Sequence, residues 1–336
     1  MESSRWLKQR TFHHASFPPT ELALLKESAS LRIGVAIPTL NEEATIGGIV
    51  SHIRRDLIED TPLVDRLLVV DSGSDDRTLA RAAAAGAETA TASEILPHLP
   101  PARGKGENLW KACHLLADCD ILAFVDGDVA NFHFGFVTGL LGPLLQHPEI
   151  RFCKAFYHRP LAAGDFPHTD PGGGRVTEIL IRPLLALLRP ELQAVIQPLS
   201  GEYAIHRELL ASLPIPTGYG VEIASLIDIH QRHGFAAMAQ VDLDERIHRT
   251  RPTRELGHMA FAILHALWPR LAPNDPLPDQ LTRHFCPPEA RGDLTWAQPC
   301  QVLADFERPP LHEIVRQASV VPNAKIPGEI GELTPN

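Results

Sequence analysis

Two acidic residues follow a short apolar run in "ILAFVDGDVANFH", residues 121–133. The run predicts a buried strand, and Asp126-Gly127-Asp128 then places two carboxylates one residue apart on the turn after it. Burying unpaired charge is costly, so such groups are normally paired or bound to a metal. Two hard oxygen ligands at this spacing can hold Mg²⁺ or Mn²⁺ against a diphosphate. A solvated acidic turn is the alternative, because an acidic pair alone is a weak signal.

Two earlier apolar runs also end in polar residues. The run "RIGVAIPTL" (32–40) predicts a strand, and "VDRLLVVDSGSDD" (64–76) predicts another that ends at Asp71. Helical segments alternate with the predicted strands, which is typical of parallel crossover units in a doubly wound α/β sheet. The carboxyl ends of such strands meet at one edge, where ligands bind. The acidic groups are therefore expected to share one site.

Weaker patterns predict two further helical features. Asn41 is a candidate N-cap for the helix that follows the first strand, with acidic residues in its first turn. After about residue 270, Pro, Arg and His dominate with weak periodicity, and we expect one helix around 295–305.

Composition excludes several classes of protein. The 336 residues are 44% hydrophobic and 21% charged, which is ordinary for a globular protein, and no apolar run approaches the roughly 20 residues of a membrane span. A net charge of −10 argues against a general nucleic-acid binder. The N-terminus lacks a secretory signal, so a cytoplasmic protein is expected. The five cysteines show no metal-type spacing, and we interpret them as reduced thiols.

Several longer motifs give a more specific resemblance. The segments "VAIPTLNEEATIGG", "VVDSGSDDRT" and "ILAFVDGD" resemble the three strand ends of a GT-A glycosyltransferase. Further along, "RGKGENLW", "KAFYHRPL", "GGGRVTE", "QPLSGEYA", "GYGVEI" and "HRTRP" resemble the glucosyl-3-phosphoglycerate and mannosyl-3-phosphoglycerate synthases. The motifs follow in order through about residues 30–265.

The resemblance implies a domain layout and a nucleotide-sugar site. It implies a mostly parallel, Rossmann-like sheet flanked by helices, with an N-terminal arm (1–30), a nucleotide-sugar-binding half (31–150), an acceptor-binding half (151–268) and a C-terminal extension (269–336). Asp128 and His248 would bind Mg²⁺ or Mn²⁺, since neutral imidazole is a normal partner for such ions. The donor nucleotide would be held by Pro38, Thr39, Leu40, Glu42, Ser72, Lys105, Asp126 and Gly127.

The resemblance also implies an acceptor site in "GGGRVTE", residues 172–178. Glycines leave backbone N–H groups unobstructed, and a helix beginning near Val176 offers its positive end to an anion. Arg175 can form paired hydrogen bonds with phosphate or carboxylate, and Thr177 can donate its hydroxyl. A flexible loop that ends at a helix start is the alternative interpretation. The implied acceptor residues are Gly174, Arg175, Val176, Thr177 and Thr250.

The implied sugar pocket lies between two later motifs. Its residues would be Leu199, Ser200, Gly201, Glu202, Tyr219, Gly220 and Glu222. Among all these residues, Glu222, Asp128 and Arg175 would be catalytic, although a glutamate at a helix start is also favoured by the dipole. The sequence departs from the family pattern at Gly127, Ser200 and Thr250, where serine, glycine and asparagine are expected.

The resemblance implies transfer of glucose from a UDP- or GDP-linked donor to the 2-hydroxyl of 3-phosphoglycerate, with retention at the anomeric carbon. Mannose transfer from GDP-mannose, a relaxed donor and a catalytically silent nucleotide-sugar-binding protein stay open as alternatives. A homodimer is expected from the same resemblance. The sequence does not decide the sugar or the base.

Overall fold

The computed structural model describes residues 2–159, 174–247, 253–275, 277, 283–291 and 295–320. The helices are α1 Glu2–Gln9, α2 Pro19–Ser28, α3 Ile46–Arg54, α4 Thr78–Ala84, α5 Lys105–Leu115, α6 Gly135–Gln146, α7 Arg182–Leu188, α8 Arg207–Ala211, α9 Val221–His233, α10 Thr253–Leu271 and α11 Leu311–Val320. The strands are β1 Thr11–His13, β2 Ile33–Thr39, β3 Arg66–Asp71, β4 Glu88–Thr91, β5 Ile121–Phe124, β6 Phe152–His158, β7 Tyr203–His206, β8 Ile215–Pro216, β9 Met238–Glu245, β10 His284–Phe285, β11 Glu289–Arg291, β12 Thr295–Ala297, β13 Gln301–Val302 and β14 Glu307–Arg308.

A single eight-stranded sheet, in the order β1-β9-β6-β7-β5-β2-β3-β4, forms the centre of the molecule. Strands β5, β2, β3 and β4 are parallel, and Val35 lies beside Leu67 on one side and Ala123 on the other. Parallel strands covered on both faces read as continuous apolar runs, which is how the sequence showed them. The predicted α/β fold with a mostly parallel sheet is confirmed.

Strand β7 joins the two parts of this sheet. It runs antiparallel to β5, with Phe124 beside Tyr203, and antiparallel to β6, with Phe152 beside Ile205. Strands β6, β9 and β1 are parallel to one another. The strands of the first half and those of the second half therefore belong to one continuous sheet.

Helices cover both faces of the sheet, and alternate residues of β5 show the two cores. Leu122 and Phe124 pack into one core, which includes Trp110 of α5. Ile121 and Ala123 pack into the opposite core, which contains apolar residues of α3 and α6. The architecture is thus a three-layer sandwich of helices, sheet and helices.

The loop after β2 differs from the expectation. Asn41 has φ of +59° and does not cap a helix, because α3 begins at Ile46 after Thr45. The Asn41 side chain instead accepts a hydrogen bond from the Asp75 amide at 2.9 Å. The N-cap prediction is therefore wrong: this side chain joins two loops at the edge of the sheet.

The C-terminal region differs more strongly from the expectation. The predicted helix at 295–305 is wrong, since β12 and β13 lie there. Strands β10 and β13 pair antiparallel with Phe285 beside Gln301, and this register sets Cys286 opposite Cys300. These two cysteines form a disulfide, so the expectation of five reduced thiols is wrong for this pair. The other three cysteines are buried and not disulfide-bonded.

Within the described residues, none of the helices combines the length and the apolar character that crossing a bilayer requires.

Candidate active site

A cavity of about 820 Å³ opens at the carboxyl ends of β2, β3 and β5. Helices α5 and α9 contribute their N-terminal residues to it, and α10 contributes a side of the wall. The described residues that line it are Pro38, Thr39, Leu40, Asn41, Glu42, Ser72, Arg103, Gly104, Lys105, Asn108, Asp126, Gly127, Asp128, Arg159, Leu199, Gly201, Gly218, Tyr219, Glu222, Arg246, Glu255, Met259, Ile263 and Asp305. All eight residues of the predicted donor site lie in this wall.

Asp71 holds the loop at the end of β3. Its side chain is fully buried and accepts hydrogen bonds from the amides of Gly73 and Ser74 at 2.8 and 2.7 Å. It also accepts one from the Thr39 hydroxyl at 2.8 Å. These donors replace the hydrogen bonds to water that the carboxylate loses on burial. Asp71 therefore fixes the relative positions of the ends of β2 and β3.

Ser72 follows this carboxylate and is positioned from the other side by α5. Its hydroxyl donates to the Asn108 side-chain oxygen at 3.0 Å, and the Asn108 amide group donates to the carbonyl of Val70 at 2.9 Å. Asn108 is buried and lines the cavity, although the sequence interpretation did not select it. The edge of the predicted nucleoside site is thus held by hydrogen bonds on both sides.

Asp126 lies between two cations. One carboxylate oxygen contacts the Lys105 ammonium, and the other is 3.0 Å from the guanidinium of Arg246. Lys105 is the first residue of α5, and its ammonium also lies 2.9 Å from the Glu222 carboxylate at the start of α9. Lys105 therefore connects the strand end that carries the acidic pair to the helix that carries Glu222.

Arg246 connects the two acids of the pair to the second half of the chain. Its guanidinium is 2.5 Å from Asp128 as well as 3.0 Å from Asp126, and its side chain is 5% exposed. It also lies 3.1 Å from the Glu202 carboxylate and donates to the Tyr157 hydroxyl at 3.1 Å. A planar guanidinium presents several donors at fixed angles, so one arginine can order three carboxylates.

Glu202 and Tyr157 form a buried layer beneath the cavity. The Tyr157 hydroxyl donates to Glu202 at 2.6 Å and accepts from the Arg159 guanidinium at 2.9 Å. The Ser200 carbonyl accepts from the Lys154 ammonium at 2.7 Å. Ser200 and Glu202 were predicted to line the sugar pocket, and the structure places both behind the wall, with Gly201 between them at the surface of the cavity.

The charges around Asp126 outweigh the effect of its burial. Burial raises the pKa of a carboxyl, but Lys105 and Arg246 hold the pKa of Asp126 well below its ordinary value. Burial would lower the pKa of Lys105 and of Arg246, and the surrounding carboxylates raise both. Burial and the charge of Asp126 raise the pKa of Glu202, against the effect of Arg246. At the cavity these directions favour the ionised forms of Asp126, Lys105 and Arg246, whereas burial favours the neutral form of Glu202 behind them.

Two glycines allow this network to pack closely. A Cβ at Gly201 would lie 2.1 Å from the Lys105 ammonium and 2.4 Å from an Asp126 oxygen. A Cβ at Gly127 would lie 3.0 Å from the Thr39 methyl and 3.3 Å from the Glu42 side chain. Gly201 is thus required by its contacts, whereas at Gly127 a small side chain needs only a slight adjustment.

The other predicted residues are found in three places. Leu199, Tyr219 and Glu222 line the cavity, while Gly220 packs behind it against Ala266. The described residues of the predicted acceptor site are outside the wall of the cavity: Thr177 is buried, and the helical segment begins at Arg175. His248, Thr250, Gly172 and Gly173 lie outside the described residues.

Sequence reasoning missed several charged residues of the wall. Arg246 and Arg159 occur in the quoted motifs "HRTRP" and "KAFYHRPL" or directly beside them, yet neither was selected. Asp305 comes from the C-terminal region, and its pKa is raised by burial. Proximity to a motif was a usable signal for the two arginines. For Asp305 no local pattern was available.

The acidic pair fits a hard divalent cation. Asp128 keeps 30% of its side chain exposed towards the cavity, and the structure gives Arg246 a contact with its Oδ1. Carboxylate oxygens are preferred by Mg²⁺ and Mn²⁺. The Asp128 carboxylate is thus a partly exposed oxygen donor at the cavity.

Comparisons with known proteins agree with this fold and site. The family described as glycosyl transferase family 2 matches residues 34–203. A parallel sheet with a carboxylate pair at its ligand-binding edge, together with this match, defines the protein as a glycosyltransferase.

Individual relatives are more specific. Glucosyl-3-phosphoglycerate synthase of Petrotoga mobilis is 45% identical over 306 residues, which cover 90% of this chain and 93% of that protein. The synthase of Mycobacterium tuberculosis bearing the same name, solved with Mn²⁺, UDP and phosphoglyceric acid, has a TM-score of 0.78 at 41% identity, covering 91% of this chain and 98% of that one. Mannosyl-3-phosphoglycerate synthase from Rubrobacter xylanophilus has a TM-score of 0.84 at 36% identity, covering 93% and 98%. The chain belongs to the glucosyl-3-phosphoglycerate synthase family.

Proposed function

We propose that this enzyme transfers glucose from UDP-glucose or GDP-glucose to the 2-hydroxyl of 3-phosphoglycerate, with retention and with Mg²⁺ or Mn²⁺ as cofactor. The observation that carries the proposal is the Asp126–Asp128 pair at the cavity, held by Lys105 and Arg246. Relatives whose names state this reaction match across most of the chain, and one was solved with UDP-glucose, phosphoglyceric acid and Mn²⁺.

The donor nucleotide lies in our proposal along the ends of β2 and β3. Thr39, Leu40, Glu42 and Ser72 contact the nucleoside, and Asp126 with Gly127 faces the ribose and diphosphate. The hydrogen bonds of Asp71 and Asn108 hold these loops in place before the nucleotide arrives. Such preorganisation lowers the cost of ordering the site on binding.

Departure of the nucleoside diphosphate leaves negative charge on the diphosphate. Asp128 and His248 would hold a divalent ion, which would supply Lewis-acid stabilisation of that charge. Lys105 and Arg246 are the cations of the wall nearest the acidic pair, and they add fixed positive charge that needs no reorganisation during the reaction. Glu222 is held by Lys105 at 2.9 Å, and we assign it the role of orienting the acceptor hydroxyl.

We assign the acceptor anion to residues 174–177 and to Thr250. Arg175 would bind the phosphate or carboxylate of 3-phosphoglycerate, and Gly174 with Val176 and Thr177 would present backbone and hydroxyl donors. Gly174 has φ of +84°, which a glycine adopts without strain. The incoming hydroxyl would attack from the face that the diphosphate leaves, so that its proton passes to a diphosphate oxygen.

A grid of donors against acceptors tests the function. UDP-glucose, GDP-glucose, UDP-mannose and GDP-mannose are each assayed with 3-phosphoglycerate and with glycerate, and nucleoside diphosphate release is measured with Mg²⁺, Mn²⁺ or a chelator. We expect turnover with a glucose donor and 3-phosphoglycerate, and its loss in chelator and in Asp128→Asn. Tight nucleotide binding without turnover from any donor would instead support a silent binding protein.

Mannose transfer is the second candidate. The mannosyl-3-phosphoglycerate synthase from Rubrobacter xylanophilus superposes at least as well as the glucosyl enzyme. The glycine at position 127 also departs from the serine expected in glucosyl enzymes, and a Cβ there would lie 3.0 Å from the Thr39 methyl and 3.3 Å from the Glu42 side chain. In the same grid, faster turnover with GDP-mannose than with either glucose donor would establish this candidate.

The acceptor assignment has its own test. Arg175→Ala is expected to raise the KM for 3-phosphoglycerate about tenfold or more, because a hydrogen bond to a charged group contributes roughly 1.5–3 kcal/mol. The KM for the donor should change little. Arg151→Ala is a matched control, since Arg151 lies directly before β6 and outside the cavity. An unchanged acceptor KM in Arg175→Ala would remove Arg175 from the site.

We also propose a homodimer and a location in the cytoplasm. Light scattering after gel filtration tests the dimer, with a mass of one chain as the contrary result. Fractionation of cells with an antibody to the chain tests the location.

A further inference from the structure

Two histidines and an aspartate meet at the edge of the central sheet, on strands β1 and β9. His13 is the last residue of β1, and His14 follows it. His13 lies beside Asp242 in the parallel pairing, and Asp244 follows two residues later in β9. The Nε2 atom of His13 is 2.9 Å from one oxygen of Asp244, and that of His14 is 2.7 Å from the other.

The backbone at Asp244 is unusual in two ways. Asp244 has φ of +64°, a conformation that few residues other than glycine adopt. Between the pairs Phe156–Asp242 and His158–Glu245, β9 also holds one residue more than β6, which is a β-bulge. Bulges redirect a side chain and recur at functional sites. Here the irregular backbone accompanies the approach of the Asp244 carboxylate to both imidazoles.

We propose that His13, His14 and Asp244 bind a zinc-type divalent ion, with water in the remaining position. The three ligand atoms lie within 4.8 Å of one another. Two imidazole nitrogens and one carboxylate oxygen, with an open fourth position, form a known zinc donor set. Around a tetrahedral ion the nitrogens and the oxygen would be roughly 3.3 Å apart, given metal–ligand distances of about 2.0–2.2 Å. The two nitrogen–oxygen contacts would widen by less than 1 Å, and any pair of ligand atoms near the 4.8 Å limit would have to approach towards that spacing.

Binding moves one proton within His13. The amide of Ala15 donates to Nδ1 of His13 at 3.2 Å, so the neutral ring carries its proton on Nε2, towards Asp244. A metal at Nε2 requires that proton on Nδ1, and the Ala15 amide then loses its acceptor. Loss of the Ala15 hydrogen bond is therefore a specific sign of the bound state.

This site differs in chemistry and position from the acidic pair. Its nitrogen ligands favour zinc-type ions, whereas Mg²⁺ prefers oxygen ligands. It would join the N-terminal arm to β9, and Asp244 lies two residues before Arg246, which contacts Asp126 and Asp128. A bound ion would thus brace the strand end from which Arg246 reaches the active site.

Binding of Co²⁺ and Zn²⁺ to the full-length, tag-free enzyme without nucleotide tests the proposal. We expect one Co²⁺ per chain with the visible absorption of a tetrahedral site, displaced by Zn²⁺, and a higher Tm with Zn²⁺. Asp244→Asn keeps the shape of the side chain and tolerates positive φ. It should lower the affinity by 10-fold or more, as should His13→Gln.

Two control variants separate this site from others. His98→Ala removes an exposed histidine far from the cluster in sequence and should bind Co²⁺ as the parent does. Asp128→Asn should also retain the signal. Exchange of the Ala15 amide with solvent should accelerate when Zn²⁺ binds. An absent Co²⁺ signal in the parent, a signal that survives Asp244→Asn, or one lost in Asp128→Asn would each overturn the proposal.

Discussion

Both oxygens of Asp126 already have cationic partners, and this limits what the residue can do. Lys105 contacts one oxygen and Arg246 the other. Any further cation at Asp126 would have to share these oxygens with Lys105 and Arg246. Asp128 has a contact to Arg246 at one oxygen and is more exposed, so the two acids of the pair have different roles. We therefore assign charge positioning to Asp126 and metal binding to Asp128.

Gly201→Ala tests whether the packing of this network matters for catalysis. The added methyl would overlap the Lys105 ammonium and an Asp126 oxygen, so both must move. A displacement of about 1 Å in an active site can reduce kcat/KM by about 10²-fold, and we expect that effect with the fold retained. Steady-state kinetics and circular dichroism measure both.

Gly48→Ala is the matched control for Gly201→Ala. Nothing lies within 4 Å of a Cβ at Gly48, which is exposed in α3. Alanine is favoured over glycine in a helix by about 1 kcal/mol, so the control should be slightly more stable and fully active. Equal kinetics in the two variants would contradict the packing argument.

At the residue scale, sequence reasoning located the acids better than the cations. Asp126 and Asp128 follow an apolar strand, and that local pattern identified them. The partners of Arg246 lie 118 and 120 residues away along the chain. Contacts at that separation leave no periodic signal, so the sequence offered only the nearby motif as a marker of Arg246, and its partners became visible when β9 was placed beside β6.

Strand β6 contains a lysine that is buried in the apolar core of the sheet. Lys154 is 1% exposed, and its ammonium donates to the Ser200 carbonyl and lies 5.4 Å from the centre of the Tyr203 ring. Burial lowers the pKa of Lys154 to about 8, although the nearby carboxylates raise it. The charged form is therefore less favourable here than in the unfolded chain.

The free energy of unfolding of the protein should depend on pH through Lys154. Above a pH of about 8 the folded protein loses this proton while the unfolded chain, with a pKa near 10.5, keeps it. The unfolded state then binds more protons than the folded state, so the free energy of unfolding rises with pH from about 8 to 10.5. Below about pH 8 both states hold the proton, and this gain in stability is absent. The shift corresponds to about 3 kcal/mol as an upper bound.

Comparison with Lys154→Met measures this contribution. The free energy of unfolding in denaturant is determined for both proteins from pH 7 to 10.5. We expect the wild-type value to rise relative to the variant across that range, because other titrating groups are common to both. A difference that stays constant with pH would show that Lys154 titrates as it does in the unfolded chain.

At the element scale, prediction succeeded where the apolar runs were long. Strands β2, β3 and β5 each coincide with a continuous apolar run in the sequence, since a parallel strand is buried on both faces. The region of β12 and β13 was predicted as a helix, because strands of two or three residues have no alternating pattern to detect. The disulfide was missed for the same reason: pairing of β10 with β13 creates it.

At the scale of the whole molecule, the C-terminal region is attached to both halves of the chain. Strand β14 pairs with β8, and Arg308 forms two hydrogen bonds of 2.8 Å with Glu107 of α5. Glu107 is fully buried and also contacts Lys111 at 2.9 Å. Helix α5 begins at Lys105, so residues near the end of the chain support the helix that carries this active-site cation.

Arg308→Ala should therefore destabilise the protein and weaken donor binding. Removing one partner of a buried ion pair costs about 3–5 kcal/mol, because the other charge is left without full compensation. We expect a lower midpoint of denaturant unfolding and a raised KM for the donor. Arg316→Ala, at an exposed arginine of α11, should change neither property. Similar midpoints for the two variants would exclude this role for the C-terminal region.

The position of β7 has a mechanical consequence for the enzyme. Because β7 is hydrogen-bonded to β5 on one side and to β6 on the other, the halves cannot swing apart as a clamshell without breaking one of these two ladders in the core. Each backbone group left unpaired there would cost about 1–3 kcal/mol. Substrates must enter and products leave through local movements around the cavity. A chimera that exchanges one half for that of a relative must also preserve the fit of β7 to its neighbours.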